Sequence, residues 1–397
     1  MNIVGIIAEY NPMHNGHIYH IKKAKELANA DFCIVIMSGS FTEQGNVAVL
    51  DKFTRAKIAI ENGADLVIEL PTIYATSSAE DFAKGAVNIL NDLGCITHLA
   101  FGAEADDLDA LKVIAKTCID NEKQIISTTK EYLKQGITSA KARDNALKDF
   151  LSSKCYEMIN KPNNILGIEY LKVLYALKSQ IKPVLVERLN SSHNELKILN
   201  NSKYTSSTAI RQTLSNSLVT LEDKLQKISS FIPQNILTEL SKNTFKTNEK
   251  VWEILRYEIL KLGKEGLKNI AEVTEGLENR LYDTTLISNS YFEYISNVKS
   301  KRFTLSRIKR ICTYIILGIT KDLKDTLKDV NYCRALKVKK TSLELLSLIS
   351  NNATNTIITK LSDNIQDKNI TKSIELDILA NNISHNISED YTNNIIS

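Results

Sequence analysis

The chain has 397 residues and a formal net charge of +4. It is 43% hydrophobic and 24% charged, an ordinary balance for a soluble globular protein. No apolar run approaches the roughly 18 residues a membrane span needs, and nothing near residue 1 has the pattern of a secretory signal, so a cytoplasmic protein is expected. Six cysteines (33, 95, 118, 155, 312 and 333) stand without CxxC pairing, mostly in apolar contexts, as reduced buried thiols do.

In chain order, the first half alternates in the βα manner. Strands are predicted at 3–8, 32–37, 65–69, 98–101 and 184–188. Helices are predicted at 17–29, 51–62, 79–92 and 108–118. Asp51 has the place of an N-cap and Gly63 that of a C-terminal stop. The strands are short and nearly all apolar, which fits a parallel sheet covered on both faces. Residues 121–183 break the repeat and are expected to hold a helical insertion, with a helix at 165–177.

All five prolines fall by position 233, and ten of the fourteen glycines fall by 167. Few breakers later in the chain predict a helical second half. Val251, Ile254, Leu255, Ile259 and Leu262 share one helical face, and further helices are predicted at 285–297, 306–317 and 341–350. The tail from 351 has no strong period. The expected fold is therefore α/β, a Rossmann-like doubly wound parallel sheet over 1–215, followed by a mainly α-helical domain over 216–397.

Between the first strand and helix the chain reads Asn11-Pro12-Met13-His14-Asn15-Gly16-His17, an HxGH pattern. In an open parallel sheet this is where ligands bind. A helix start offers free N–H groups and a positive dipole end to an anion. Gly16 admits close backbone approach. His14 and His17 can donate to phosphate oxygens as charge builds up. A zinc site is disfavoured because no further Cys or His stands at ligand spacing. His20 lies one helical turn beyond His17, where a surface or packing role competes with a binding one.

A second motif is Lys203-Tyr204-Thr205-Ser206-Ser207-Thr208-Ala209-Ile210-Arg211. Its hydroxyls suit a helix cap. They also suit a phosphate cradle completed by the Arg211 guanidinium. In 39–59, Thr42, Glu43, Gln44, Gly45, Arg55 and Lys57 follow the second strand. They read either as a loop with a solvated helix or as the wall of an acceptor pocket. Residues 299–310 carry Lys299, Lys301, Arg302, Arg307, Lys309 and Arg310 around Phe303 with no acid among them. Arg334, Lys337, Lys339 and Lys340 form a second acid-free cluster. Basic side chains around an aromatic suit RNA phosphates and an unstacked base.

The HxGH motif and "SSTAIR", in this order around a βα core, resemble the HIGH-type nucleotidyltransferase superfamily. Thr205 stands where that motif usually has Ile. The strings "GIIAEYNPMHNGHIYHI", "MSGSFTEQGNVAVLDKFTRAKIAIENGADLVIELP", "FGAE" and "KPNNILGIEYLKVL" narrow the resemblance. They are similar to the bacterial tRNA(Met) cytidine acetate ligase family, strongly over about 1–215 and more weakly beyond.

That resemblance implies a two-step reaction. ATP and acetate give acetyl-adenylate and pyrophosphate, and the acetyl group passes to N4 of the wobble cytidine of elongator tRNA(Met). It implies ATP binding by Ile7, Ala8, Glu9, Tyr10, Asn11, Pro12, Met13, His14, Asn15, Gly16, His17, Ile18, Tyr19 and His20. Gly102, Asn163, Asn164, Arg188, Ser206, Ser207, Thr208 and Arg211 would complete the site. His14 and His17 would act in catalysis. The acid-free basic composition of 299–310, beside a nucleotide-activating domain, leads to the expectation that its cations hold tRNA. Acetate is already a nucleophile, so the first step needs alignment and charge neutralisation. Mg2+ is expected to share that neutralisation, although no acidic pair marks its ligands. The base for the second step has no sequence signature. Two other classes compete: a small-molecule adenylyl- or cytidylyltransferase acting on a phosphorylated cofactor precursor, and a nonenzymatic nucleotide-binding protein. The first leaves the basic half without a purpose, and the second does not need both histidines.

Overall fold

Alternation within the first strands sets the layers. In β2 (Phe32–Ser38), Cys33, Val35 and Met37 enter the core on one face, and Ile34 and Ile36 enter the core on the other. β1 (Ile3–Ala8) divides in the same way, with Val4 and Ile6 opposite Ile3. Both faces are therefore covered. The helices Asn15–Leu27, Lys52–Glu61 and Ser207–Leu214 contribute to one core. Ala79–Asp92, Leu108–Asp120 and Pro162–Ala176 contribute to the other. The computed structural model describes residues 1–397 except 138, 160, 188–203, 217, 243–247, 275, 360–364 and 387–397.

β3 (Leu66–Leu70), β4 (His98–Ala103) and β5 (Lys182–Glu187) complete the parallel set. With β6 (Cys333–Val338) and β7 (Ile357–Ile358), the sheet order is β5-β4-β1-β2-β3-β6-β7. β1 pairs in parallel with both β2 and β4. The strand order reverses there, opening a crevice at the carboxyl ends of β1 and β4.

The expected helices form, with three differences. The first begins at Asn15, two residues early, because His14 caps it. The 285–297 stretch is two helices, Leu277–Ile287 and Tyr291–Val298. Ser290 caps the second by accepting from the Glu293 amide, which ends the first. The tail contains a long helix, Lys368–Asn386, whose buried residues include Ser373, Asp377 and Ser384. A buried face made partly of polar side chains leaves no hydrophobic period to read.

The second half is mainly helical, but its sequence did not announce β6, which joins the sheet antiparallel to β3. Two members of the second basic cluster, which has no acid within its own segment, therefore meet acids from other elements. Arg334 is buried, with Nη1 3.0 Å from Glu69 Oε2. Glu69 Oε1 accepts from Lys52 Nζ at 2.6 Å, also buried. Lys339 lies 3.7 Å from Asp65.

Candidate active site

A cleft of about 250 Å³ lies at the switch point. The ends of β1, β4 and β5 form its floor through Ile6, Ile7, Ala8, Phe101, Gly102, Val186 and Glu187. His14 and His17 face it from the start of the helix Asn15–Leu27.

The two histidines form a reciprocal cap. His14 Nδ1 accepts from the Gly16 amide at 3.1 Å, and His17 Nδ1 accepts from the His14 amide at 3.3 Å. Each Nδ1 is thus an acceptor, so a neutral ring carries its proton on Nε2. The rings stack with centroids 3.9 Å apart, and Tyr10 meets His17 edge-on at 5.1 Å. The backbone therefore sets the tautomer and orientation of both side chains. Gly16 has a different reason from phosphate approach alone. A Cβ there would stand 2.9 Å from His14 Cε1, so any side chain would push the ring aside.

The second motif interlocks with the first. Ser206 caps the helix Ser207–Leu214 by accepting from the Ala209 amide. Ser207 Oγ donates to the Pro12 carbonyl at 3.2 Å. Arg211 Nη1 donates to the Asn11 carbonyl at 2.7 Å, and its Nη2 donates to Thr208 Oγ1. Ser206, Ser207, Thr208 and Arg211 all line the cleft. Burial lowers the Arg211 pKa, against the opposing pull of the Glu9 charge.

Most residues expected at the site line it: Ile7, Ala8, Glu9, Tyr10, Asn11, His14, Gly16, His17, Tyr19, His20, Gly102 and Asn163. Others build it from behind. Met13 is in the core, and Ile18 packs against that core. The Asn15 amide donates to the Phe231 carbonyl. The Asn11–Pro12 peptide is cis. Asn164 is fully buried. Its Oδ1 accepts from the Glu104 and Ala105 amides and its Nδ2 donates to the Met158 carbonyl, so it clamps the loop after β4. Arg188 lies outside the described residues.

Sequence reasoning did not single out Phe82, Phe101, Leu166, Tyr170 or Tyr204 as cleft residues. Asn163, Leu166 and Tyr170 recur at helical spacing, the one signal available. Of the 39–59 segment, Glu43 and Gln44 line the cleft. Arg55 does not. It is buried, and its guanidinium donates to the carbonyls of Glu9, Ser38, Gly39 and Leu50, which ties the ends of β1 and β2 together. Lys57 is exposed and pairs with Glu239 at 3.3 Å.

Two carboxyls share the acidic side of the cleft. The Glu43 amide donates to Glu9 Oε1 at 2.9 Å. Burial raises the Glu9 pKa, while the Glu43 amide, Arg211 and Arg55 oppose the rise. Burial and then the Glu9 charge raise Glu43 further, to about 7. Among the described residues no group of three or more His, Cys, Asp or Glu could hold a metal ion, so these residues offer no dedicated cage for Mg2+.

The 299–310 cations divide. Lys299, Lys301 and Arg302 are exposed. Arg307 donates to the Glu272 carbonyl and Thr274 Oγ1. Arg310 Nη2 meets Glu272 Oε2 at 3.1 Å. Burial and then the Arg211 charge lower the Lys309 pKa, although Lys309 is not among the residues lining the cleft. Phe303 is buried beneath Arg307 and is not an exposed stacking platform.

Residues 1–395 match the family described as HIGH Nucleotidyl Transferase. The tRNA(Met) cytidine acetate ligase of Clostridium perfringens is 38% identical over 98% of this chain and 98% of its own. That of Clostridium kluyveri is 39% identical over 96% and 93%. Crystal structures of Thermotoga maritima TmcAL are similar at 29% identity, covering 98% of this chain and 96% of theirs. The TM-score is 0.88 for the form bound with alpha-thio ATP and 0.89 for the apo form. By sequence over its whole length, and by a fold that sets an HxGH helix start at the sheet's switch point, the chain belongs to the HIGH nucleotidyl transferase family, among the tRNA(Met) cytidine acetate ligases.

Proposed function

We propose that the chain is an ATP-dependent acetate ligase. It activates acetate as acetyl-adenylate with release of pyrophosphate, then transfers the acetyl group to N4 of the wobble cytidine of elongator tRNA(Met). The carrying observation is the pair of backbone-oriented imidazoles, His14 and His17, facing the cleft beside Arg211. Near full-length identity to enzymes named for this reaction supports the substrate assignment.

In this reading the triphosphate lies along His14, His17, Thr208 and Arg211. Adenosine lies against Gly102, Asn163 and Val186. An acetate oxygen attacks the α-phosphorus in line with the departing pyrophosphate. The Nε2–H donors, the helix start and the guanidinium stabilise the charge that develops, already in place and without reorganisation. Lys299, Lys301 and Arg302 form the exposed part of a tRNA surface.

The test measures pyrophosphate release from ATP with and without acetate, followed by mass spectrometry of acetylated tRNA(Met). Acetate-dependent release together with N4-acetylcytidine supports the ligase. Release that requires a phosphorylated small molecule instead of acetate would move the assignment to a cofactor nucleotidyltransferase.

A further inference from the structure

The acetyl-transfer step needs a proton acceptor. Cytosine N4 attacks as a neutral amine. After its lone pair bonds the acetyl carbon, it must shed a proton before the adduct reverts. We propose that the Glu43 carboxylate is that acceptor, a role that rests on the ligase reading above. The balance is complete. The N4 lone pair forms the amide bond, the bond from acetyl carbon to phosphate oxygen breaks, AMP leaves with that electron pair, and one N4 proton moves to Glu43.

The geometry singles out Glu43 from the acids of the cleft. It lines the cleft on the loop after β2, beside Glu9. Glu9 is committed elsewhere: its Oε1 accepts from the Glu43 amide and so holds the loop that carries Glu43. Glu187 also lines the cleft, but at the end of β5, the adenosine side.

The Glu43 loop is also held from the far side by the helix Leu305–Leu317. Gly45 has φ +70, and a Cβ there would lie 2.5 Å from the Lys309 backbone. The Gly45 carbonyl accepts from Thr313 Oγ1 at 3.0 Å. The helical half that bears the exposed cations therefore holds the loop that carries Glu43. The charged groups facing Glu43 are Glu9 from the β1 end, Arg310 from that helix and Glu272 from the turn it pairs with. Burial and then the Glu9 charge push its pKa up, Arg310 pulls it down, and Glu272 adds a smaller rise, leaving it at about 7. A base of that strength is matched to neutral pH.

The experiment compares wild type with Glu43→Gln in two steps. One is acetate-dependent pyrophosphate release. The other is single-turnover acetyl transfer to tRNA(Met) across pH 6–9. Transfer by Glu43→Gln should fall by about 10²-fold, and its rise with pH through 7 should vanish. Pyrophosphate release should fall much less than transfer does, since that step needs no base. Glu9→Gln removes the like charge and should shift the pH midpoint of whatever transfer it retains downward. Thermal melting checks folding. The ionised form of Glu43 is disfavoured in the folded state, so the wild type loses stability as pH rises from about 4.5 to 7. Glu43→Gln should therefore melt no lower than wild type at pH 8. Unchanged transfer, a retained pH rise, or equal loss of both steps would overturn the assignment. Absence of acetate-dependent release in the wild type would instead overturn the ligase reading, and this role with it.

Discussion

Arg211 donates to the main-chain carbonyl of Asn11 at 2.7 Å, joining residues 200 positions apart in sequence. One guanidinium thus braces the HxGH turn while lining the cleft that the turn builds. Ser207 adds a second tie, to Pro12. The two motifs are halves of one device, and neither is placed without the other.

Arg211→Lys keeps a charge but loses the planar fork that reaches Asn11 and Thr208 together. Acetate-dependent pyrophosphate release should fall by about 10²-fold. Steady-state kinetics at varied ATP will check this. A lysine variant within about threefold of wild type would show that only the charge matters.

His14 has two functions that substitution separates. Asn is a good N-cap, so His14→Asn should keep stability within about 1 kcal/mol while removing the Nε2 donor. Adenylate formation should fall by about 10²- to 10³-fold. His14→Ala should lose the cap as well. Urea denaturation beside the kinetic assay distinguishes the two.

Gly45→Ala meets both a positive φ and the backbone of Lys309 and Arg310. The loop must leave the helix Leu305–Leu317, at a cost of about 1–3 kcal/mol. The midpoint of chemical denaturation should fall accordingly, and Glu43 should lose its position.

Glu69 holds Lys52 and Arg334 in the interior. Glu69→Ala leaves two buried cations unpaired and should destabilise by about 3–5 kcal/mol. Equilibrium unfolding in urea is the check, and a change under about 1 kcal/mol would mean that water reaches the pair.

Lys299→Glu, Lys301→Glu and Lys299→Glu/Lys301→Glu should weaken tRNA binding and lower its salt slope by about 1 for each phosphate no longer neutralised. Acetate-dependent pyrophosphate release should be unchanged. Arg307 and Arg310 are unsuited to this test, because both anchor the turn at Glu272. Filter binding at several salt concentrations will separate weakened electrostatics from misfolding, since a misfolded variant would also lose pyrophosphate release.

Apolar runs and local caps marked β1 to β5 and the helices expected at 17–29, 51–62, 79–92, 108–118 and 165–177, because each is local and its apolar pattern answers to a face of the sheet, whereas 121–164 was read only as a helical insertion. The HxGH turn was legible for the same reason: a cap, a glycine and a helix start are neighbours in sequence. Distance in sequence hid the rest. Arg55 read as part of a solvated helix or of a pocket wall, and Arg334 only as a member of a basic cluster, yet their partners are main-chain carbonyls and a buried glutamate supplied by other elements. β6 was hidden because its six residues gain strand character only from the open edge of β3. Glu43 read as a loop acid or a pocket wall, and nothing local showed that Glu9 and Glu272 would stand near it. Local hydrogen bonding and hydrophobic period thus set the elements and the first motif. Charge partners and proton affinities depend on what the fold moves close together and away from water, and only the tertiary structure decided those.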